Sequence, residues 1–217
     1  MAADPLAPPA PPAAAEVFGE SLDAARDYAE LLAGPGVQRG LIGPREVDRL
    51  WERHLLNSAA VSVAVPDSAT VLDVGSGAGL PGIPLALVRA DLTVTLVEPL
   101  QRRTAFLVEA CERLGLDSVT VRRCRAEELA QRSTDVVVAR AVAPLARLLG
   151  VTLPLLRPGG RLVALKGRSA EDEVSAAANV LKAMNARSWD VRDLVLPGGL
   201  DATRAVVVVA GDARRHQ

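Results

Sequence analysis

The sequence predicts an α/β fold: a mostly parallel seven-stranded sheet that ends in an antiparallel hairpin and is preceded by a helical extension. Three observations carry this. Short apolar runs alternate with helical stretches from residue 70 onward. A glycine cluster, GSGAGLPG, stands between the first of these runs and a helical pattern. The last two runs are joined by Pro197-Gly198-Gly199 rather than by a helix. Strands separated by helices imply a parallel sheet covered on both faces, and a tight Pro/Gly connection implies a hairpin.

Residues 1–15 are Ala/Pro-rich, a composition that favours disorder. Residues 16–64 read as a helical extension. EVFGESLDAARDYAELLAG is a helix expected to stop at Gly34-Pro35-Gly36. GPREVDRLWERHLLNSAAV is a second, with Pro44 at its first position and Val47, Leu50, Trp51, His54, Leu55 and Ser58 on one stripe. Residues 65–217 carry the sheet. Strand-like runs fall at 70–74, 93–97, 118–122, 134–139 and 161–165, with a helix at 101–113. A helix near 170–186 then leads to the hairpin strands 189–196 and 204–210. No internal repeat is visible.

The chain has 217 residues, enough for one such domain with an extension, and 49% hydrophobic residues supply a core without disulfides or metals. The net charge of −1 excludes a global field for nucleic acid or acidic membranes, so any RNA contact must be local. Arg102-Arg103, Arg122-Arg123-Arg125 and the Arg45, Arg49, Arg53 series are the candidate basic groups, the last at i, i+4, i+8 on one helix face. Two cysteines, Cys111 and Cys124, form neither CxxC nor a zinc spacing; both read as inert packing residues in a reducing, cytoplasmic setting. The N-terminus lacks the basic and apolar regions of a signal peptide. Arg140 and Arg147 interrupt the best apolar window, so no membrane span is expected.

Two frames overlap in the glycine cluster. Gly77-x-Gly79-x-x-Gly82 matches a dinucleotide fingerprint, and Gly75-x-Gly77-x-Gly79 matches the looser S-adenosylmethionine loop. Asp73, two residues before Gly75, favours the second. A carboxylate there repels a pyrophosphate and suits a ligand bearing an ammonium and a sulfonium. Glu98, ending the second strand, can accept from both ribose hydroxyls of either ligand. The terminal hairpin belongs to a methyltransferase sheet, and no residues remain for the substrate domain of a dehydrogenase. A nicotinamide-dependent oxidoreductase and a non-catalytic nucleotide-binding module stay open as alternatives, as does a methyltransferase acting on another RNA base or a small molecule.

LDVGSGAGLPGIPLAL, VEPLQRRTAFL, RAEEL, VVVARAVAPLARLL and LKG, with WERHLLNSA upstream, resemble successive motifs of the glucose-inhibited division protein B (RsmG) family over roughly residues 45–210. The resemblance implies a Rossmann-like class I S-adenosylmethionine-dependent methyltransferase that acts on guanine N7 of 16S rRNA near the decoding centre. It implies the small ribosomal subunit or its assembly intermediate as partner. Cofactor contacts carry over onto Gly75 and Leu80 in the glycine turn, Ala126 and Glu127 after the third strand, and Arg140 after the fourth. Two departures fall upstream: RGLIGPRE stands where the family often has Asn-Leu-Thr-Ala, and Asn57 where it often has Asp.

The chemistry agrees. Guanine N7 offers a lone pair with no proton to remove, so alignment rather than a general base is required. The fourth strand ends Ala139-Arg140-Ala141-Val142, not in the Asn/Asp-Pro-Pro-aromatic run common among exocyclic-amine methylases. The candidate site is therefore Asp73, Gly75, Gly77, Leu80, Glu98, Ala126, Glu127 and Arg140 for the cofactor, with Arg140 also donating to guanine O6. Lys166, at the end of the fifth strand, is expected to contact RNA phosphate or base. His54, on an apolar stripe, is expected to be a hydrogen-bonded, partly buried histidine. No metal is expected, and a monomer is the default.

Overall fold

The computed structural model describes residues 6–140 and 143–212; Ala141 and Val142 of the ARAVAPL run, residues 1–5 of the Ala/Pro segment and residues 213–217 lie outside the described residues. The strands are β1 (Thr70–Val74), β2 (Thr93–Val97), β3 (Val119–Arg122), β4 (Thr134–Arg140), β5 (Leu156–Leu165), β6 (Ala186–Leu194) and β7 (Thr203–Ala210). They form one sheet in the order β3-β2-β1-β4-β5-β7-β6. The first five are parallel, and β7 runs antiparallel to both β5 and β6. The order reverses beside β1, so the carboxyl ends of β1 and β4 open a crevice there, the usual ligand position in such sheets.

Side-chain alternation divides the core into two layers. Val71, Leu96, Val136 and Val138 face one side, with Tyr28, Ile83 and Phe106 packed on them. Val74, Val97, Val137 and Ala139 face the other, against Leu148, Leu149, Ala177 and Leu181. The first layer is covered by α1 (Pro12–Phe18), α2 (Leu22–Leu31), α3 (Asn57–Ala59), α4 (Gly82–Val88) and α5 (Gln101–Leu114); the second by α6 (Leu145–Thr152) and α7 (Ala170–Ala183). Phe106 is fully buried, and removing a ring of that size from water is worth about 1.5–3 kcal/mol.

The N-terminal region departs from expectation in three ways. Its Ala/Pro segment is not disordered throughout: Pro12 starts α1, and Ala14 is fully buried. Glu30 accepts from the backbone N–H groups of Leu6 and Ala7 at 3.0 and 3.1 Å, and Trp51 Nε1 donates to the Pro8 carbonyl at 2.8 Å. These bonds fix a segment whose composition alone has little to bury. Secondly, the helix does not stop at Gly34-Pro35-Gly36. A π-type turn, Leu32–Gly36, continues it. A wider turn accommodates the ring of Pro35, and a Cβ on Gly34 would meet Leu6 Cδ1 at 2.9 Å. Thirdly, the second helical segment is 3₁₀ over Pro44–Arg49 and π-type over Leu50–Leu56. At three residues per turn, Arg45 and Arg49 no longer share a face. The predicted stripe nevertheless holds: Leu50, Trp51, His54, Leu55 and Ser58 are buried.

Two strand boundaries moved. β5 begins at Leu156 rather than 161, because Pro158-Gly159-Gly160 continues the strand through an irregular register where it would ordinarily break. A Cβ on Gly160 would lie 2.9 Å from the carbonyl oxygens of Arg157 and Asp135. β6 begins at Ala186 and forms one sheet edge; β3 forms the other.

Candidate active site

The first candidate residue, Asp73, is not where the sequence placed it. It follows Val71 in the alternation of β1, so its side chain points into the layer of Leu96 and Tyr28, away from the crevice. It is 0% exposed and does not line the clefts described below; its Oδ2 accepts from Gly82 N–H at 3.0 Å. The carboxylate therefore anchors the start of α4 from within the core. Gly82 permits this contact, since a Cβ there would lie 2.6 Å from Asp73 Oδ2 and 2.3 Å from Leu96 Cδ2. Asp73 Oδ1 has no hydrogen-bond partner, and burial pushes the pKa up to about 7 against the opposing Gly82 bond.

The glycine turn runs over this anchor. Gly75, Gly77 and Gly79 all have positive φ, at 73, 58 and 97°, a region open to glycine at no steric cost. Ser76 Oγ donates to the Asp73 carbonyl at 2.8 Å and accepts from Val97 N–H at 3.0 Å, sewing the turn to both strands. Tyr28 Oη donates to the Ala78 carbonyl at 2.7 Å from beneath. Sequence reasoning did not include Tyr28. Its isolated position on α2 gave no signal.

Glu98 lies at the crevice as expected. Its Oε2 accepts from Gly77 N–H at 3.1 Å and its Oε1 from Leu100 N–H at 3.0 Å. Arg103 Nη1 approaches Oε2 at 3.5 Å from the first turn of α5. A cleft of about 630 Å³ opens beside it, lined by Gly75, Glu98, Arg103, Ala126, Glu127 and Arg140, among others. Of the predicted cofactor residues, Gly75, Glu98, Ala126, Glu127 and Arg140 converge on this cleft. Gly77 and Leu80 line a smaller recess of about 270 Å³, which shares Gly75, Arg103 and Arg140 with it. Arg103, read from the sequence only as a basic group for RNA, and Arg147, not read as a site residue, also line the cleft. Arg103 stands in the first turn of the helix that follows the strand-end carboxylate, a position that could have marked it. Cys124 also borders the cleft, on the side of edge strand β3, while Cys111 is buried in α5 with its thiol pushed up to about 11 by burial.

Arg140, at the end of β4, is held by the N-terminal extension. Its Nη1 donates to the His54 carbonyl at 3.2 Å and to Ser58 Oγ at 2.9 Å, and its Nη2 to His54 Nδ1 at 2.8 Å. His54 is buried and hydrogen-bonded, as expected; its Nε2 lies 3.0 Å from Glu46 Oε2. Lys166 is engaged within the protein at the end of β5. Its ammonium donates to the Ala143 carbonyl at 2.5 Å and pairs with Glu173 at 2.8 Å, with only 8% of the side chain exposed. It borders a cleft of about 400 Å³ with Arg53, Asn57, Arg140 and Thr203. Its charge is nonetheless spent within the protein, because Glu173 on α7 faces it and also accepts from Leu145 N–H at 2.8 Å. Of the arginine series, Arg49 and Arg53 border a groove of about 510 Å³ against the hairpin, and Arg45 does not.

No group of His, Cys, Asp and Glu that could hold a metal occurs among the described residues, and none of their helices is long and apolar enough to cross a membrane.

The geometry can be set beside known proteins. A family model described as rRNA small subunit methyltransferase G matches residues 21–196. A Streptomyces avermitilis protein named ribosomal RNA small subunit methyltransferase G is 63% identical over 181 residues, covering 82% of this chain and 76% of its own. A Thermobifida fusca protein of the same name is 56% identical over 91% of this chain and 82% of its own. Among solved structures, a SAM-dependent O-methyltransferase of Thermotoga maritima has a TM-score of 0.56 at 16% identity, over 75% of this chain and 67% of that one. M. jannaschii TYW2 in complex with AdoMet has a TM-score of 0.56 at 15% identity, over 74% and 76%. These two likenesses show the fold.

Proposed function

The chain belongs to the rRNA small subunit methyltransferase G family, and from that premise we propose that it transfers a methyl group from S-adenosylmethionine to N7 of a guanosine in 16S rRNA. The observation that carries the reading is the 630 Å³ cleft at the carboxyl ends of β1, β2 and β4, bordered by a bare glycine turn and the Glu98 carboxylate. Its size suits a nucleoside ligand. The donor set fits as well. Gly75 presents backbone without a side chain. Glu98, though it already accepts two N–H groups, keeps lone pairs for a ribose diol.

When bound, S-adenosylmethionine supplies a sulfonium methyl that a lone pair can take in one displacement, the N–C bond forming as the S–C bond breaks. The residues around Arg140 support an acceptor that loses no proton. Both ring nitrogens of His54 are engaged, one by Arg140 and one by Glu46. Glu173 is occupied by Lys166, Ser169 and Leu145 N–H. The two groups beside Arg140 that could take a proton, His54 and Glu173, are thus both engaged, and guanine N7 requires no base. A cysteine nucleophile is equally out of reach: Cys124 follows β3, three strands from β4, or about 14 Å at the usual strand spacing. Arg140 is then the donor to guanine O6, and the arginines bordering the adjoining grooves, Arg49 and Arg53, meet the RNA backbone.

The decisive experiment supplies methyl-labelled S-adenosylmethionine and the purified protein to small subunits from a strain lacking this gene. Primer extension after N7-specific cleavage should stop at one guanosine. Label at any other atom or in no rRNA overturns the proposal.

A further inference from the structure

We propose that Glu46 and His54 are positioning residues for the methyl transfer: they tether one edge of the Arg140 guanidinium so that its other edge is presented to the acceptor purine. The inference rests on the preceding reading, in which Arg140 meets that base. It begins from hydrogen-bond direction. A guanidinium only donates. Arg140 Nη2 lies 2.8 Å from His54 Nδ1, so Nδ1 carries the ring's lone pair and the imidazole is neutral with its hydrogen on Nε2. That hydrogen points at Glu46 Oε2, 3.0 Å away. Glu46 selects the tautomer, and the tautomer supplies the acceptor that Arg140 needs. The other carboxylate oxygen of Glu46 takes Arg53 Nη1 at 3.2 Å, which fixes the carboxylate in turn.

The tether uses a particular side of the guanidinium. Nη1 is committed to the His54 carbonyl and Ser58 Oγ, and Nη2 gives one hydrogen to Nδ1. Arg140 Nε–H and the second Nη2–H have no hydrogen-bond partner among the described residues. Those two groups form a parallel fork on the lateral edge. Arg140 borders all three cavities that meet at the end of β4: the 630 Å³ cleft, the 270 Å³ recess and the 400 Å³ cleft beside Asn57. A purine carbonyl, with two lone pairs, can take both prongs and leave N7 free for the methyl. An untethered arginine would lose about 2 kcal/mol of rotamer entropy on meeting that base; here the extension has ordered it beforehand, which is how orientation contributes to rate.

The tether is also sensitive to charge. Protonating His54 places an N–H on Nδ1, directly against Arg140, and the bond becomes a contact between two cations. The charged groups that face His54 are Glu46 and Arg53 from its own segment and Arg140 from β4, with Tyr28 of α2 facing Arg140 in turn. Burial, with Arg140, holds His54 below its ordinary pKa; Glu46 works in the opposite direction. The neutral, tethering form is therefore the one present at neutral pH.

Two near-isosteres separate positioning from packing. In His54→Asn the amide oxygen falls near Nδ1 and keeps an acceptor for Arg140. In His54→Gln the amide nitrogen reaches the Nε2 position, keeping Glu46 but leaving Arg140 without its acceptor. Methylation of small subunits lacking the modification, measured with S-adenosylmethionine between about pH 5 and 8, should show kcat reduced about a hundredfold in His54→Gln with donor KM little changed. His54→Asn should retain activity within about fivefold of the wild type and lose the acid limb of the profile, because an amide does not titrate. Glu46→Gln, at a half-exposed site, should move that limb to lower pH, since the carboxylate that favours the imidazolium is gone. Equal losses in the two His54 variants overturn the proposal. If neither folds, Glu46→Gln decides alone, and an unmoved limb overturns it. A wild-type protein that labels no small-subunit rRNA refutes the functional reading instead, and is told apart by that.

Discussion

Asp73 and Glu98 stand at the ends of neighbouring strands and accept hydrogen bonds from the same glycine turn, yet they serve it from opposite sides. Asp73 holds Gly82 from inside the core, with one oxygen unpaired and no exposure. Glu98 holds Gly77 and Leu100 from the wall of the cleft. The difference comes from where each strand stops. Asp73 is still within β1 and obeys its alternation, whereas Glu98 lies one residue past β2, where the chain has already turned. A carboxylate inside the strand faces the core, and one just beyond it borders the cleft, although Glu98 is itself only 2% exposed.

The largest test of this contrast is Gly82→Ala. The new Cβ would lie 2.3 Å from Leu96 Cδ2 and 2.6 Å from Asp73 Oδ2, so urea denaturation should report a loss of about 3 kcal/mol or failure to accumulate as folded protein. Asp73→Asn sharpens the comparison through pH. The folded-state pKa of Asp73, about 7, exceeds that of a free carboxyl, so this group's contribution to stability is present below about pH 4 and is lost as pH rises toward 7. An asparagine still accepts from Gly82 N–H and removes that dependence. The variant should gain on the wild type in urea midpoint between pH 5 and 8; a constant difference would place the unpaired oxygen in contact with solvent.

Glu98→Gln is the counterpart on the cleft side. One amide group must turn an N–H toward either Gly77 N–H or Leu100 N–H. Calorimetry should show S-adenosylmethionine affinity reduced roughly tenfold, with a smaller effect on stability than Gly82→Ala has. The smallest effect is expected far from both carboxylates. Arg204→Ala removes exposed pairs with Asp193 and Glu171 and should leave the urea midpoint indistinguishable from that of the wild type.

The fold was readable because its strands keep their period. TVLDV, TVTLV and VTVR are bounded by clear turn residues, and the Pro/Gly connection announced the hairpin. The lining of the cleft was legible at strand ends: Gly75, Glu98, Ala126 and Glu127, named from the glycine turn, the second strand and the family resemblance, all border it. The core-facing direction of Asp73 was signalled in the sequence. Two residues after Val71 it must share that residue's face, and a core-facing carboxylate is a cap. The pairing of Lys166 was not legible, because its partner Glu173 sits on the following helix, where charge alone does not reveal direction. The tether on Arg140 had no local signal at all, because His54 lies 86 residues upstream and meets it only through the packing of the extension on β4. The helix expected to stop at Gly34-Pro35-Gly36 continues, and β5 starts before residue 161, because tertiary contacts outweigh the local preference of Pro and Gly.

The edge strand β6 carries Arg187, Asp190, Arg192 and Asp193, all exposed and of mixed sign. An incoming strand would have to strip water from these groups before its backbone could join the ladder. A solution of this protein at high concentration is thereby guarded against fibrillar self-association along that border, and substituting the four by valine or threonine would turn the border into a nucleating seam.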